Sequence, residues 1–254
     1  MSGPPSSQGR FGSAPPPPQV ERPRKVLVVG ATGRLGVAIA RGLAKRGDAV
    51  AITARDGKKL EGLADELERL GPRPRIIVQD LRERDAPHRI AAALLGSGGI
   101  DDVVLACGPF PRTPLEELRR EDLEETLNVH AIAPLLLVNE LADELGKRNG
   151  AVVALADAGV ARPYINHVAY LTAKGALQTG LRALAVELAP HVRVNVVSLG
   201  IVADPEADAD PLRTHRLAAR SPLGRFGAPA EVVHAVLALL DATWSTGEIW
   251  GIGR

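Results

Sequence analysis

The chain is poor in cysteine, in aromatic residues and in net charge, and each shortage excludes a class of protein. Cys107 is the single cysteine among 254 residues, so there is no disulfide framework, and a reducing compartment is expected. The formal net charge is +1, which gives no electrostatic reason to expect nucleic acid or an anionic membrane as a partner. The six histidines stand singly, without HxxxH or CxxC spacing, so we expect no metal site.

Long apolar segments are missing as well. No run reaches the roughly 20 apolar residues of a membrane span, and the N-terminus lacks the apolar core of a signal peptide. We therefore expect a cytoplasmic protein that does not associate with membranes. Residues 1–23 are rich in Gly, Ser, Gln and Pro and cannot bury enough apolar surface to order themselves. We predict a disordered leader there, with a tether or proline-rich ligand as the alternative, and one domain over residues 24–254.

From Lys25 onward, short apolar runs alternate with amphipathic segments. The runs predicted as strands are KVLVVG, AVAIT, RIIVQD, DDVVLAC, AVVALAD, VRVNVVSLG and GEIWGI. The segments between them, such as VAIARGLAKRG and PAEVVHAVLALLD, have helical spacing. This alternation predicts an α/β fold, a doubly wound parallel sheet of the Rossmann type with helices on both faces, in a single domain.

A glycine-rich loop follows the first predicted strand. Gly30, Gly33 and Gly36 lie between that strand and the first helix, within the first βαβ unit. Glycines here permit a tight turn and the close approach of a pyrophosphate to the backbone at a helix N-terminus. The loop predicts dinucleotide binding; the alternative is an ordinary glycine-rich turn.

The residues after the second strand bear on the choice of dinucleotide. An enzyme that prefers NAD more often carries an acidic residue here, for the ribose hydroxyl. This chain has Arg55, and with Arg34 in the glycine loop it suits a 2′-phosphate, which guanidinium binds in a bidentate fork. The next residue, Asp56, complicates the choice between NAD and NADP, because it could serve NAD or instead cap the following helix. We favour NADP(H).

Tyr170 and Lys174 form the candidate catalytic pair. They lie four residues apart in a segment with helical spacing, so both side chains can point into one cleft. A tyrosine has an ordinary pKa of about 10, and one cation at about 4 Å supplies on the order of 4 kcal/mol toward lowering it. The alternative is an exposed lysine and a tyrosine packed on a core helix.

With the glycine loop, Asn128 in NVHAIAP and YxxxK in this order, the chain resembles the short-chain dehydrogenase/reductase family from about Lys25 to the C-terminus. The resemblance implies that Asn128 is the catalytic-helix asparagine and that Asp80 and Leu81 contact the adenine ring. It also implies a homodimer or homotetramer. The cofactor contacts that follow are Gly30, Gly33, Arg34, Leu35, Gly36, Arg55, Asp80, Leu81, Ala106, Tyr170, Lys174 and Gly200.

Within that family the chain looks like the pteridine reductase branch. Arg34 in the glycine loop, Asp157 thirteen residues before Tyr170, and Phe110 in GPFPRTPL point there together. The branch implies a small-molecule substrate with a pterin-like or folate-like C=N bond, stacked on Phe110. Tyr170 would supply the proton to nitrogen, Lys174 would lower its pKa, and Asp157 would orient or recharge the tyrosine.

Some positions depart from the family pattern. Leu105 to Gly108 replaces a motif with two asparagines, and Leu199-Gly200 replaces Pro-Gly. We interpret residues 203–222 as a substrate lid, whose acidic residues either meet a cationic ligand or are simply solvated. These acidic residues are Asp204, Glu206, Asp208 and Asp210. A carbonyl (ketone or quinone) reductase and a non-catalytic NADP sensor therefore remain alternatives.

Overall fold

The computed structural model describes residues 23–203, 211–219 and 221–253. Seven parallel strands form one sheet in the order β3-β2-β1-β4-β5-β6-β7. The strands are β1 (Lys25–Val29), β2 (Ala49–Ala54), β3 (Arg75–Val78), β4 (Asp102–Leu105), β5 (Ala151–Asp157), β6 (Arg193–Leu199) and β7 (Ile249–Ile252). The predicted α/β fold of the Rossmann type is confirmed.

Helices connect these strands on both faces of the sheet. They are α1 (Arg34–Arg46), α2 (Gly57–Leu67), α3 (Ala86–Leu95), α4 (Arg120–Leu127), α5 (Ala133–Lys147), α6 (Val168–Glu187), α7 (Pro211–Ala218) and α8 (Pro229–Asp241). The predicted leader, apart from Pro23, lies outside the described residues. The four acidic residues of the predicted lid also lie outside the described residues. Helix α7 makes up most of the described part of that lid.

The sheet is buried on both faces because its strands are apolar on both. Along β5, Val152 and Ala154 belong to one core and Val153 and Leu155 to the other, following the two-residue period of a strand. The first core receives side chains from α3, α5 and α6, and the second from α1, α2 and α8. This explains the absence of polar alternation in the sequence of the strands.

At the amino edge of the sheet, a buried ion pair links Arg24, which directly precedes β1, to β4 and β5. The fully buried Asp102 accepts hydrogen bonds from Arg24 Nε at 2.6 Å and Nη2 at 2.9 Å. It also accepts one from the backbone N–H of Ala151 at 2.8 Å. Each carboxylate oxygen therefore has a donor, which offsets the cost of burying the charge.

The carboxyl edge carries the loops that form the site. Strand order reverses between β1 and β4, which is where open parallel sheets of this kind have their ligand crevice. Opposite that crevice, α4 and α5 are joined by a π-helical turn at residues 128–132, in which the Ala133 N–H bonds to the Asn128 carbonyl. Such turns often mark functional positions in helices.

Candidate active site

Two glycines of the loop after β1 have no room for a side chain. Gly30 has φ of +79°, and a Cβ there would lie 2.6 Å from the Cys107 Cα. A Cβ on Gly36 would lie 2.2 Å from the Gly30 carbonyl oxygen. The N–H groups of Gly30 and Ala31 both donate to the Thr53 carbonyl, at 2.9 and 3.1 Å. The loop is therefore pressed against β2 and the end of β4, as the tight turn requires.

A cavity of about 400 Å³ runs along the carboxyl edge from the end of β2 to the loop after β4. Its lining includes six of the predicted cofactor residues, namely Gly30, Gly33, Arg55, Asp80, Leu81 and Ala106. Gly30 and Gly33 form part of its floor, and α1 begins beside them without a side-chain cap. The cavity and its glycine floor fit a dinucleotide whose pyrophosphate lies over the start of α1.

The two arginines predicted to bind a 2′-phosphate lie in different places, and only Arg55 lines the cavity. Arg55 is exposed and lines the cavity, and its charge helps the hydrogen bond from Arg82 to hold the pKa of Asp80 below its usual range. Arg34 instead donates to the carbonyls of Ala203 and Val202, beyond β6. The Asp56 side chain accepts from the Lys59 N–H at 3.1 Å, so the predicted helix cap is confirmed.

The remaining predicted cofactor residues lie outside the lining of this cavity. Leu35 and Gly36 are in the first turn of α1, while Tyr170 and Lys174 lie on α6. Gly200 lines a second cavity of about 60 Å³, and a Cβ there would lie 2.0 Å from the Gly253 carbonyl oxygen. Gly200 therefore serves the close approach of the segment after β7, and its cofactor contact stays a prediction.

Two phenols share one carboxylate at the end of β5. Asp157 Oδ2 accepts from the Tyr170 hydroxyl at 3.1 Å and from the Tyr164 hydroxyl at 3.0 Å. Asp157 Oδ1 accepts from the Gly159 N–H at 2.6 Å, which fixes the carboxylate in place. The spacing of Asp157 and Tyr170 in the sequence thus corresponds to a direct contact. Tyr164 is a member of the site that the sequence analysis did not identify.

The electrostatics of Tyr170 differ from expectation. Burial raises the pKa of the Tyr170 phenol, and the Asp157 carboxylate raises it further. Lys174 Nζ donates to the Leu155 carbonyl at 3.1 Å and lies 5.8 Å from the centre of the Tyr170 ring. Contrary to the expectation, the Lys174 ammonium does not bring the pKa of Tyr170 below its ordinary value. The cost of burying a phenolate next to a carboxylate outweighs one cation at that distance.

Asn128 lies at the start of the π-helical turn. Its side-chain amide donates to the carbonyls of Leu81 and Arg82, at 3.1 and 3.3 Å. These hydrogen bonds brace the loop after β3 against α4, instead of reaching the Tyr170 phenol. Its predicted catalytic role stays a prediction. Two residues further on, His130 is buried edge-on against the Tyr170 ring, with the ring centres 5.3 Å apart.

Phe110 lies beside Tyr170 in a group of aromatic rings. Its ring stacks on His167 at 4.5 Å and meets Tyr170 edge-on at 4.8 Å. Backbone pairing of Thr113 with the segment before α6 holds the two loops together. Phe110 remains 59% exposed, so an aromatic surface is open to solvent next to the Tyr170 phenol. Its stacking on a ligand stays a prediction.

Comparison with known proteins agrees with this geometry. A family profile described as Enoyl-(Acyl carrier protein) reductase matches residues 30–252. L-xylulose reductase of Bos taurus is 31% identical over 224 residues, covering 86% of this chain and 89% of that protein. 3-oxoacyl-[acyl-carrier-protein] reductase of Aquifex aeolicus is 30% identical, covering 88% and 93%. The chain therefore belongs to the short-chain dehydrogenase/reductase family and is an oxidoreductase of that family.

Solved structures show the same fold. L-sorbose reductase of Gluconobacter frateurii, complexed with NADPH and L-sorbose, superposes with a TM-score of 0.85 at 24% identity, covering 90% of this chain and 94% of that one. A 3-oxoacyl (acyl-carrier-protein) reductase of Agrobacterium tumefaciens C58 with NADP bound gives a TM-score of 0.85 at 25% identity, covering 91% and 93%. None of the relatives named here is a pteridine reductase, so the branch assignment is not shown.

The described residues show neither a metal site nor a membrane span. They contain no group of three or more His, Cys, Asp or Glu side chains arranged to hold a metal ion. Within the same ranges, no helix is both long enough and apolar enough to cross a bilayer. The predicted cytoplasmic location and homo-oligomer stay predictions.

Proposed function

We propose that the protein is an NADPH-dependent reductase of a small carbonyl compound, with Tyr170 as the proton donor. The observation that carries the proposal is the buried Tyr170 phenol, hydrogen-bonded to Asp157 and next to an open aromatic surface. The relatives named above, reductases of a sugar and of a 3-oxoacyl group, support a carbonyl as the substrate. When bound, the reduced nicotinamide supplies the hydride.

The chain's own residues would handle the proton. Because the pKa of Tyr170 is raised, the phenol is protonated at neutral pH and ready to donate. The phenolate that then forms lies between the Lys174 ammonium, which stabilises it, and the Asp157 carboxylate, which opposes it. Oδ2 of Asp157 also accepts from the partly exposed Tyr164, so Tyr170 can regain a proton through this carboxylate while Tyr164 takes one from solvent.

A second candidate is the reduction of a C=N bond in a pterin-like ring. A phenol with a raised pKa is a weak acid, and a ring nitrogen takes a proton from it more readily than a carbonyl oxygen does. The Asp157 carboxylate beside Tyr170 and the exposed ring of Phe110 favour this candidate. The two candidates differ in what they require at position 157, since a serine hydroxyl could donate to a carbonyl oxygen.

The test follows NADPH consumption with a ketose, a 3-oxoacyl thioester, a quinone and a dihydropterin, for the wild type and Asp157→Ser. Carbonyl turnover that survives or improves in Asp157→Ser supports the first candidate. Dihydropterin turnover that is lost in Asp157→Ser supports the second and overturns the first. Wild-type protein that binds NADPH but reduces none of these compounds would contradict both, and would favour a sensor.

We also infer that Arg55 selects NADP(H). It is exposed at the cavity, whereas Asp56 is engaged as a helix cap, so the positive side chain is the one available to a 2′-phosphate. Arg55→Ala should weaken NADPH binding by about tenfold and leave NADH binding nearly unchanged, measured by calorimetric titration. Lys58→Ala, which removes a neighbouring exposed charge, is the control. Equal loss of both cofactors in Arg55→Ala would contradict the assignment.

A further inference from the structure

His130 is a buried imidazole at the inner end of the cavity. It lies in the π-helical turn with 1% of its surface exposed, and it contributes to the cavity lining. Gly108 provides the space for the ring: it has φ of +102°, and a Cβ there would lie 2.0 Å from His130 Cε1. The other flank of the ring meets Tyr170, with the two ring planes at 89°.

Neither ring nitrogen of His130 has a hydrogen-bond partner within the described part of the protein. The Pro109 backbone is close enough to raise the pKa of His130, but it is not in hydrogen-bonding geometry with either ring nitrogen. A buried polar group left unpaired costs about 1–3 kcal/mol. The Thr53 hydroxyl, at the opposite end of the same cavity, is also buried without a partner. The two unpaired side chains thus face the volume that a ligand would fill.

The charge on His130 limits what that ligand group can be. Burial, together with the nearby Lys174 ammonium, lowers the pKa of His130 to about 3. The ring therefore offers one N–H donor and one nitrogen acceptor at neutral pH. A cationic partner would be repelled by Lys174, and a carboxylate could use only the donor. A hydroxyl group both donates and accepts, so it can satisfy either nitrogen.

We propose that His130 is a positioning residue that hydrogen-bonds a hydroxyl of the bound ligand, and that this hydroxyl belongs to the nicotinamide-side ribose of the dinucleotide. The cavity is continuous from the glycine loop to His130, so a ligand held at its phosphates extends to this ring. His130 is buried beneath Gly108, whereas the substrate surface at Phe110 is exposed. The assignment to a ribose rests on the proposed function; a substrate hydroxyl is the other source of the same chemistry.

The test compares His130→Asn with His130→Leu. Asparagine and leucine have nearly the same size, so both variants open a similar space beneath Gly108, and they differ mainly in hydrogen bonding. Binding of NADPH and of adenosine 2′,5′-bisphosphate, which lacks the nicotinamide half, is measured by calorimetry without substrate. We expect the leucine variant to bind NADPH about tenfold more weakly than the asparagine variant, and both to bind the bisphosphate equally.

Urea unfolding of the protein without added ligand separates this role from a structural one. The leucine variant should be at least as stable as the asparagine variant, because it leaves no buried polar group unpaired. Equal NADPH affinity with a raised KM for substrate in the leucine variant would show that His130 bonds a hydroxyl of the substrate and not one of the ribose. Equal affinity and equal KM would overturn the proposal. Wild-type protein that binds NADPH without turnover would overturn only the reductase assignment, and failure to bind NADPH would overturn both.

Discussion

At the amino edge of the sheet, the buried Asp102 has a hydrogen-bond donor on both carboxylate oxygens, and its pairing joins β1, β4 and β5. At the carboxyl edge, the His130 ring and the Thr53 hydroxyl are buried without a hydrogen-bond partner among the described residues. Two phenols share Asp157 there; burial raises the pKa values of both, and the Asp157 carboxylate raises them further. At the amino edge the buried carboxylate is thus fully paired, and the buried Arg193 guanidinium donates through both Nη atoms, although its Nε has no partner in the part of the chain that the structure describes. At the carboxyl edge, the unpaired side chains belong to residues that line the cavity.

The difference has a physical origin. A buried polar group without a partner destabilises the fold, so it persists where binding or catalysis uses it. Polar groups at the amino edge hold the strands together, and their loss should weaken folding without a specific effect on chemistry. Loss of the polar groups at the carboxyl edge should impair binding or turnover, with little effect on the free energy of unfolding. Four experiments test whether the two edges of the sheet serve folding and chemistry separately.

The largest effect is expected at the carboxyl edge. Tyr170→Phe should lower turnover by about 10²- to 10⁴-fold, because it removes the proton donor. The free energy of unfolding should change by only about 1 kcal/mol, because Asp157 retains Tyr164 and the Gly159 N–H. Steady-state kinetics and urea unfolding test both parts. Tyr164→Phe is the matched control, since it removes a hydroxyl from the same carboxylate oxygen, and an equal loss of turnover in it would contradict the assignment.

Asp102→Ala tests the amino edge. It leaves the largely buried Arg24 guanidinium without its main partner and the Ala151 N–H unpaired, so the free energy of unfolding should fall by about 3–5 kcal/mol. The KM for substrate in the fraction that folds should be unchanged. Asp65→Ala, at an exposed ion pair with Arg73, should have little effect on stability. A raised KM in Asp102→Ala would show that the two edges are not independent.

Gly36→Ala tests the backbone packing of the glycine loop. The new Cβ would lie 2.2 Å from the Gly30 carbonyl oxygen and 2.9 Å from the Ala31 Cα, so the loop must shift. The free energy of unfolding should fall by about 3 kcal/mol. Gly62→Ala in α2 is the control, because no atom lies within 4 Å and helix propensity should stabilise it by about 0.5–1 kcal/mol. Unchanged stability in Gly36→Ala would mean that the loop tolerates a side chain.

The smallest effect concerns pH. A histidine whose pKa is about 3 in the folded protein and about 6.5 unfolded destabilises the fold as pH falls through that window, because the unfolded chain binds the proton first. Between pH 7 and pH 5 the wild type should lose about 2 kcal/mol more unfolding free energy than His130→Asn. Urea unfolding at both pH values measures this difference. Parallel loss in the two proteins would show that His130 titrates normally, despite its burial beside Lys174.

Much of the fold could be read from local pattern. The continuous valine-rich runs predicted strands buried on both faces, and all seven formed in one parallel sheet. Gly47 ends α1 at φ of +92°, and α8 covers the predicted segment from Pro229 to Asp241. These features depend on neighbours in the chain, on the helical and strand periods, and on the backbone freedom of glycine, so a single sequence carries them.

Part of the candidate site could also be predicted. The family resemblance paired Asp157 with Tyr170, and the two side chains do form a hydrogen bond. Tyr164 was missed because its contact with the same carboxylate depends on the loop between β5 and α6, which has no periodic signal. Asn128 was singled out by motif, yet its amide bonds to the loop after β3. His130, two residues later, meets Tyr170 instead, because the π-helical turn changes which side chains face the cavity.

The sequence by itself determined the strands, the helices, the glycine loop and the spacing of the catalytic pair, because these are properties of adjacent residues. The tertiary structure alone decided the electrostatics. Burial together with the Asp157 charge raises the pKa of Tyr170, whereas the spacing of Lys174 had suggested the reverse. Desolvation and the distances between charges are set only when separate segments pack together. The same packing determines which buried polar groups have a hydrogen-bond partner and which have none.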